Sequence, residues 1–156
     1  MEANYHPDRT IEIHAYAAEE IGLVGSNYIA TAYRSAKKDV VAMVQHDMNL
    51  YAKDGNPKIW LVSNNTDNSL NTALEGLIDG YVGVPHQRRD LTAGNSDHYS
   101  WTKNGFAAAF PFENPSEYNK LIHTDRDTIA NSGNFEQAAA FARLGVAYLM
   151  HFAGGA

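Results

Sequence analysis

Two adjacent carboxylates, Glu19 and Glu20, are the first residues of this sequence whose type and spacing could do chemistry. They follow residues 10–16, in which apolar side chains alternate with polar ones in a pattern that predicts a β-strand. Ligands of open α/β sheets bind beyond the carboxyl ends of the strands, so acids placed there predict a site. Such a pair can divide into a proton-transfer base and a metal ligand. For an arbitrary pair of glutamates, a solvated acidic loop is the more common arrangement.

Asp47 and His123 are the potential partners of these acids. Asp47 follows residues 40–45, an apolar run that favours a strand buried on both faces, and a strand-end Asp is often only a helix or turn cap. His123 lies in a polar segment, where a lone His is usually a surface residue. The ends of two strands and one loop can nevertheless meet at a single sheet edge. Because the sequence has no cysteine, any metal here must bind His, Asp or Glu, which suit zinc.

The composition limits the class of protein. The chain has 156 residues, of which 44% are hydrophobic, enough for one domain with its own core. Its net charge is −6 and it has no basic run, so nucleic acid and anionic membrane surfaces are poor candidates as partners. No apolar run approaches the ~20 residues of a membrane span, and residues 1–7 do not have the pattern of a signal peptide.

The order of elements predicts an α/β fold. Strands are predicted at residues 10–16, 40–45, 59–62 and 106–112, and helices at residues 70–81 and 135–152, the latter capped by Asn134. Ser26 is predicted to cap a helix that ends near Lys37, and Ser96 to cap a short one that ends near Lys103. Residues 82–95 are predicted to be irregular, and residues 113–134 to form a long loop. Alternating strands and helices indicate a mostly parallel sheet covered on both faces.

Five short motifs then occur in order, at residues 15–26, 45–48, 96–101, 110–113 and 122–131. Together they closely resemble the secreted bacterial leucyl aminopeptidases, a family of co-catalytic dizinc exopeptidases. The resemblance extends over essentially the whole chain and implies a mostly parallel, mixed sheet with helices on both faces. It implies that residues 1–156 form a single domain, similar to the C-terminal part of the catalytic domain of a zinc aminopeptidase.

The resemblance also implies a role for individual residues. Glu19 matches the general base that takes a proton from the metal-bridging water, Glu20 and His123 match ligands of one zinc, and Asp47 matches a ligand of the other. Asp127 and Thr128 match residues that fix the loop around the metal ligands. The pocket for a large hydrophobic N-terminal residue of a peptide is matched by Met48, Phe110, Phe112, Tyr118 and Ile122. Phe110 and Phe112 could equally belong to the core.

Two departures from the family pattern bear on the site. Residues 91–95 lack the Cys pair that usually precedes the motif at residues 96–101. The first strands of the family sheet, which supply a His ligand and the Asp that bridges the metals, have no counterpart here. The sequence therefore predicts a truncated chain with an incomplete metal site, for which a missing N-terminal segment is a candidate partner. The resemblance further implies a secreted or periplasmic location.

Two other functions remain open from the sequence. The chain could be a non-catalytic, truncated relative that binds metal weakly or acts as an interaction module, because only one base and three ligands are matched. It could also be a related dizinc deacetylase or carboxypeptidase. The apolar and aromatic side chains assigned to the pocket speak against a polar substrate.

Overall fold

The computed structural model describes residues 4–92 and 95–155. In chain order, the helices are α1 (Val24–Ser35), α2 (Asn68–Leu77), α3 (His98–Lys103), α4 (Ile129–Ser132) and α5 (Phe135–Ala153). A π-helical turn, Ile78–Val82, continues α2. The strands are β1 (Met43–Val44), β2 (Ile59–Val62), β3 (His86–Arg89), β4 (Ala108–Ala109) and β5 (Pro111–Phe112). Within this described part of the chain, no helix is both long and apolar enough to cross a bilayer.

The strands form two small sheets that share one segment of backbone. β1 pairs in parallel with β4, and β2 pairs in parallel with β3 and antiparallel with β5. Only Phe110 separates β4 from β5, and its carbonyl accepts a hydrogen bond from Val62 N at 3.0 Å. The predicted α/β class with a mixed sheet is therefore confirmed. The single sheet of the prediction consists instead of two sheets joined through residues 108–112.

The main core forms around β2, whose four residues are all buried. Leu74 of α2 and Phe141 and Leu144 of α5 pack against it. α5 begins at Phe135 as predicted, because the Asn134 side chain accepts a hydrogen bond from Gln137 N at 3.0 Å and satisfies a free amide of the first turn. The predictions for residues 59–62 and for the last helix are confirmed.

The strand predicted at residues 10–16 is wrong. These residues form no strand, and the Ile13 side chain is 90% exposed. A strand forms only where its backbone can pair with a neighbour, and none of the described residues pairs with this segment. Side chains hold it instead: Trp101 Nε1 donates to Tyr16 Oη at 2.8 Å, and Tyr33 Oη donates to Glu12. Glu19 and Glu20 thus follow an extended segment rather than a strand.

Three further local predictions differ from the structure. The strand at residues 40–45 is reduced to β1, and α1 begins ahead of Ser26, whose hydroxyl instead bonds to Ser100 Oγ at 2.8 Å. β3 forms within residues predicted to be irregular. Its residues are all polar, so they do not show the alternation of apolar and polar side chains that predicts a strand. Its position depends on backbone pairing with β2. Arg88 of this strand also pairs with Glu75 of α2 at 2.7 Å.

His98 in the core makes stability depend on pH. Its ring is fully buried and stacked on Phe110, and neither ring nitrogen has a hydrogen-bond partner among the described residues. Burial lowers the pKa of His98 from 6.5 to about 4. The unfolded chain therefore takes up the proton first as pH falls, so the stability contributed by neutral His98 is present above pH 6.5 and is lost on acidification towards pH 4.

We expect the free energy of unfolding of the wild type, relative to His98→Gln, to fall by roughly 2–3 kcal/mol between pH 7 and pH 4. Urea unfolding of both proteins across this range measures the difference. Other titrating groups are common to the two chains and largely cancel. Parallel pH profiles would show that His98 is protonated as easily in the folded chain as in the unfolded one.

Candidate functional site

Glu19 and Glu20 lie in a tight turn that leads into α1. The amides of Gly22 and Leu23 both donate to the Glu19 carbonyl, at 3.0 and 2.9 Å. Ala18 and Leu23 have φ values of 58° and 56°, in the left-handed region that side chains other than glycine seldom adopt. Such backbone is maintained only where the surrounding structure holds it. The direction of the two carboxylates is therefore set by this turn.

Gly25 lets α1 pack directly against the segment in front of the turn. Its amide donates to Ala17 O at 3.0 Å. A Cβ on Gly25 would lie 2.5 Å from Ala17 O and 2.9 Å from Ala17 N, both of them backbone atoms. Only glycine allows this approach, so Gly25 helps to fix the distance between α1 and the turn that carries Glu19 and Glu20.

Glu20 and His123 meet in space although more than a hundred residues separate them. His123 Nε2 lies 2.9 Å from Glu20 Oε2, and each side chain is 67% exposed. An ion pair this exposed contributes little to stability. His123 also has a φ of 62°, in the left-handed region that side chains other than glycine seldom adopt. The structure therefore brings together the two residues that the sequence assigns to one metal, at a point open to solvent.

Further carboxylates face this point from other elements. Burial, together with the charges of Asp47, Glu20 and Asp97, raises the pKa of Glu19 to about 7, although the charge of His123 acts to lower it. Burial also raises the pKa of Asp97, which hydrogen bonding by Ser26 lowers and the charge of Asp47 raises. Asp97 is not among the site residues predicted from the sequence, since burial cannot be inferred from the motif at residues 96–101. A carboxyl with a pKa near 7 can accept and return a proton near neutral pH.

The side chains at the candidate site are of types that bind zinc, but there are few of them. A carboxylate oxygen and an imidazole nitrogen are ordinary zinc ligands. Within residues 4–92 and 95–155, no group of three or more His, Asp or Glu side chains is arranged to hold a metal ion. Glu20 and His123 therefore offer one metal two protein ligands, and Asp47 remains near Glu19 as a third carboxylate of the same region.

The residues predicted to line a substrate pocket largely pack together. Phe110 and Phe112 form a buried cluster with Val62, and Met48 and Tyr118 pack against it. Phe110 is 1% exposed, so its ring belongs to the core as much as to any pocket. Ile122 is half-buried. Residues 93 and 94, within the segment that lacks the family's Cys pair, lie outside the described part of the chain.

The loop that carries His123 is held by the residues predicted to fix it. Asp127 Oδ1 accepts from Asn119 Nδ2 at 2.6 Å and from Ser132 Oγ at 3.3 Å. The Thr128 carbonyl accepts from Asn131 N and Ser132 N, both at 3.0 Å. The Asn119–Asp127 bond spans His123, and the other bonds close turns on its C-terminal side. Whether the loop serves a metal ligand stays a prediction.

The chain is similar to peptidases over most of its length. A model of peptidase family M28 matches residues 1–148. A probable aminopeptidase of Saccharomyces cerevisiae is 36% identical over 131 residues, covering 83% of this chain and 35% of the relative. Leucine aminopeptidase 1 of Ajellomyces capsulatus is 34% identical over 152 residues, covering 92% of this chain and 39% of the relative.

Two solved structures of aminopeptidases are also similar to this chain over most of its length. The LapA aminopeptidase of Legionella pneumophila matches with a TM-score of 0.83 and 38% identity, over 88% of this chain and 38% of that chain. A zinc aminopeptidase from Bacillus subtilis matches with a TM-score of 0.72 at 18% identity, over 88% of this chain and 34% of that one, which is a likeness of fold alone. The chain thus spans between 34% and 39% of the length of these proteins.

Substitution of Gly25 tests whether α1 and the acidic turn are in direct backbone contact. Gly→Ala within a helix normally stabilises a protein by roughly 0.5–1 kcal/mol. Gly76→Ala in α2 is the matched control, because a Cβ there meets nothing within 4 Å. We expect the control to raise the free energy of unfolding and Gly25→Ala to lower it by at least 1 kcal/mol, measured by urea unfolding at pH 7. A stabilising Gly25→Ala would contradict the contact.

Proposed function

The chain belongs to peptidase family M28, and from this membership we propose that it carries part of the active site of a zinc-dependent aminopeptidase. The substrate would be a peptide with a hydrophobic N-terminal residue, which is released by hydrolysis. Activity, substrate and metal are proposals, since the chain spans less than two-fifths of the length of its relatives.

The observation that carries the proposal is the approach of His123 Nε2 to Glu20 Oε2 at 2.9 Å. The sequence resemblance assigns both residues to the same zinc, and they lie more than a hundred residues apart in the sequence. Their exposure leaves room for a metal and for a substrate. An accidental surface ion pair would not be expected between the two positions that the family motif selects.

In the proposed reaction, each of these residues would have a separate role. Glu20 and His123 would hold one zinc, and Asp47 would contribute to the binding of a second. Zinc in such sites polarises a carbonyl group and makes water more acidic. Glu19, next to a ligand but not itself one, takes a proton from the attacking water and returns it to the leaving amine. Its partly buried position beside Asp47 and Asp97 favours proton uptake.

The remaining ligands would come from the part of the domain that this sequence does not span. Catalytic zinc usually has three protein ligands and a water, whereas Glu20 and His123 make two. The proposed full site therefore combines the residues described above with a His and a bridging carboxylate from outside them. The secreted location implied by the resemblance stays a prediction, because neither the fold nor the names of the relatives concern location.

The preference for a hydrophobic residue rests on the side chains near Asp47. Met48 follows Asp47 directly and packs, with Tyr118, against the Phe110 and Phe112 rings. A pocket at this surface would offer apolar and aromatic walls. Such walls select a large apolar side chain by burying it from water.

A second candidate function is a metal-binding or interaction module without catalysis. The same ligand count favours it, since no third ligand for the Glu20 and His123 position is found among the described residues. The two candidates predict the same weak metal binding by the chain alone. They differ in whether the residues support turnover when the rest of a domain is supplied.

Metal binding by the chain alone tests the site. We expect weak zinc binding in a calorimetric titration, lost in Glu20→Ala and in His123→Ala. Glu117→Ala is the matched control, because Glu117 lies in the same loop and pairs only with exposed groups, among them Lys53 at 2.7 Å. Equal zinc binding by the wild type and Glu20→Ala would remove Glu20 and His123 as a metal position.

Turnover tests catalysis. The chain alone should hydrolyse a leucine anilide little or not at all with excess zinc, because its ligand set is incomplete. A chimera in which these residues replace the matching part of the Legionella LapA aminopeptidase should be active. Glu19→Ala in the chimera should lower the rate by ~10²–10⁴ with zinc content nearly unchanged. Equal loss of zinc would mean that Glu19 is a ligand, and turnover by the chain alone would mean that the ligand set is complete without further residues.

A further inference from the structure

We propose that Glu113 is a positioning residue that fixes two loops to each other, the Asp47 loop (residues 45–58) and the His123 loop (residues 113–134). Glu113 ends the motif at residues 110–113 but is not among the site residues predicted from the sequence. The effect of Glu113 on metal binding rests on the proposed function. The contact itself rests only on the hydrogen bonds described below.

Glu113 is a buried carboxylate at the junction of the two loops. It follows β5 directly and is 1% exposed. No Lys, Arg or His among the described residues forms an ion pair with it. A buried carboxylate without a cation is costly unless backbone donors satisfy its oxygens. A residue in this position needs a specific reason to be a glutamate.

On one side, Glu113 holds the Asp47 loop. Its Oε2 accepts from Tyr51 N at 3.1 Å, and its own amide donates to Met48 O at 3.1 Å. The two bonds bracket residues 48–51, directly after Asp47. Met48 has a φ of 51°, so the backbone that follows Asp47 lies in a conformation that needs such support.

On the other side, Glu113 holds the His123 loop. Its Oε1 accepts from Asn119 N at 2.8 Å. The side chain of Asn119 then reaches across His123: Oδ1 accepts from Leu121 N at 2.9 Å, and Nδ2 donates to Asp127 Oδ1 at 2.6 Å. Asn119 is itself buried. The turn that presents His123 is therefore anchored through Asn119 to the Glu113 carboxylate.

The two oxygens of one carboxylate thus serve two loops. An ionised carboxylate offers only acceptors, which matches the two backbone amides that point at it. Burial is the main reason that the pKa of Glu113 is raised to about 7; the amides of Asn119 and Tyr51 act to lower this pKa, and the charges of Asp47 and Asp127 act to raise it. Removal of either bond would leave an amide without its partner, buried at Asn119 and part-buried at Tyr51, and would weaken the connection between the two loops.

Amide hydrogen exchange of the chain tests this contact. In Glu113→Gln the side chain keeps the shape of glutamate but can offer a carbonyl oxygen to only one of the two amides, and in Glu113→Ala it offers none. We expect the amide of Tyr51, of Asn119 or of both to exchange at least tenfold faster in Glu113→Gln, and both to do so in Glu113→Ala. Amides of the β2 core should change by less than twofold. Glu117→Gln, an exposed change in the same loop, should alter none of them.

The same variants also connect the contact to the metal site. Loss of residues that orient metal ligands typically lowers metal affinity 10–100-fold, so zinc binding should weaken at least tenfold in Glu113→Ala and remain unchanged in Glu117→Gln. A purely structural role predicts instead that all amides exchange faster by one common factor. If Glu20→Ala does not affect zinc binding, the proposed function fails, while the local exchange of Tyr51 and Asn119 still decides the role of Glu113.

Three results would overturn the proposal: unchanged protection of both amides, a uniform acceleration through the core, or failure of both Glu113 variants to fold. Folding is checked by circular dichroism in the near ultraviolet. Unchanged zinc affinity, in a chain whose zinc binding does depend on Glu20, would likewise contradict a positioning role.

Discussion

Residues 108–112 are the segment on which the rest of the structure depends, because their backbone is hydrogen-bonded along both edges. β4 pairs with β1 on one side, and β5 and the Phe110 carbonyl pair with β2 on the other. This shared segment fixes the position of β1, and with it Asp47, relative to the core around β2. It also delivers Phe110, Phe112 and Glu113 to the same region. A shift in its register would move the pocket side chains and the Asp47 loop together.

Electrostatic repulsion is concentrated at the candidate site. The charges of Asp47, Glu20 and Asp97 contribute to the raised pKa of Glu19, and the charge of Asp47 contributes to the raised pKa of Asp97. His123 is the basic side chain that faces them through Glu20. Such a concentration of acids is unfavourable by itself, and a bound cation would offset it. The raised pKa values of Glu19 and Asp97 and the exposure of Glu20 and His123 both belong to this cluster of acids.

Local strain accompanies the same residues. Ala18 and Leu23 flank the acidic turn, Met48 follows Asp47, and His123 itself lies in the left-handed region. Each of these conformations is unfavourable for a residue with a side chain. They persist because hydrogen bonds from buried or rigid neighbours hold them, as the Glu113 carboxylate does for two of the loops. The strained backbone at these positions fixes the direction of the neighbouring polar side chains.

Elements with local signals could be predicted from the order of the residues alone. The buried apolar run Ile59–Val62 became β2, the Asn134 cap started α5, and five ordered motifs identified the family. Only the tertiary structure decided that residues 10–16 stay unpaired, that polar residues 86–89 form a strand, and that Asp97 and Glu113 are buried near the site. The physical reason is that periodicity and capping depend on neighbours along the chain. Strand pairing, desolvation and the meeting of Glu20 with His123 depend on residues that the fold brings together from far apart.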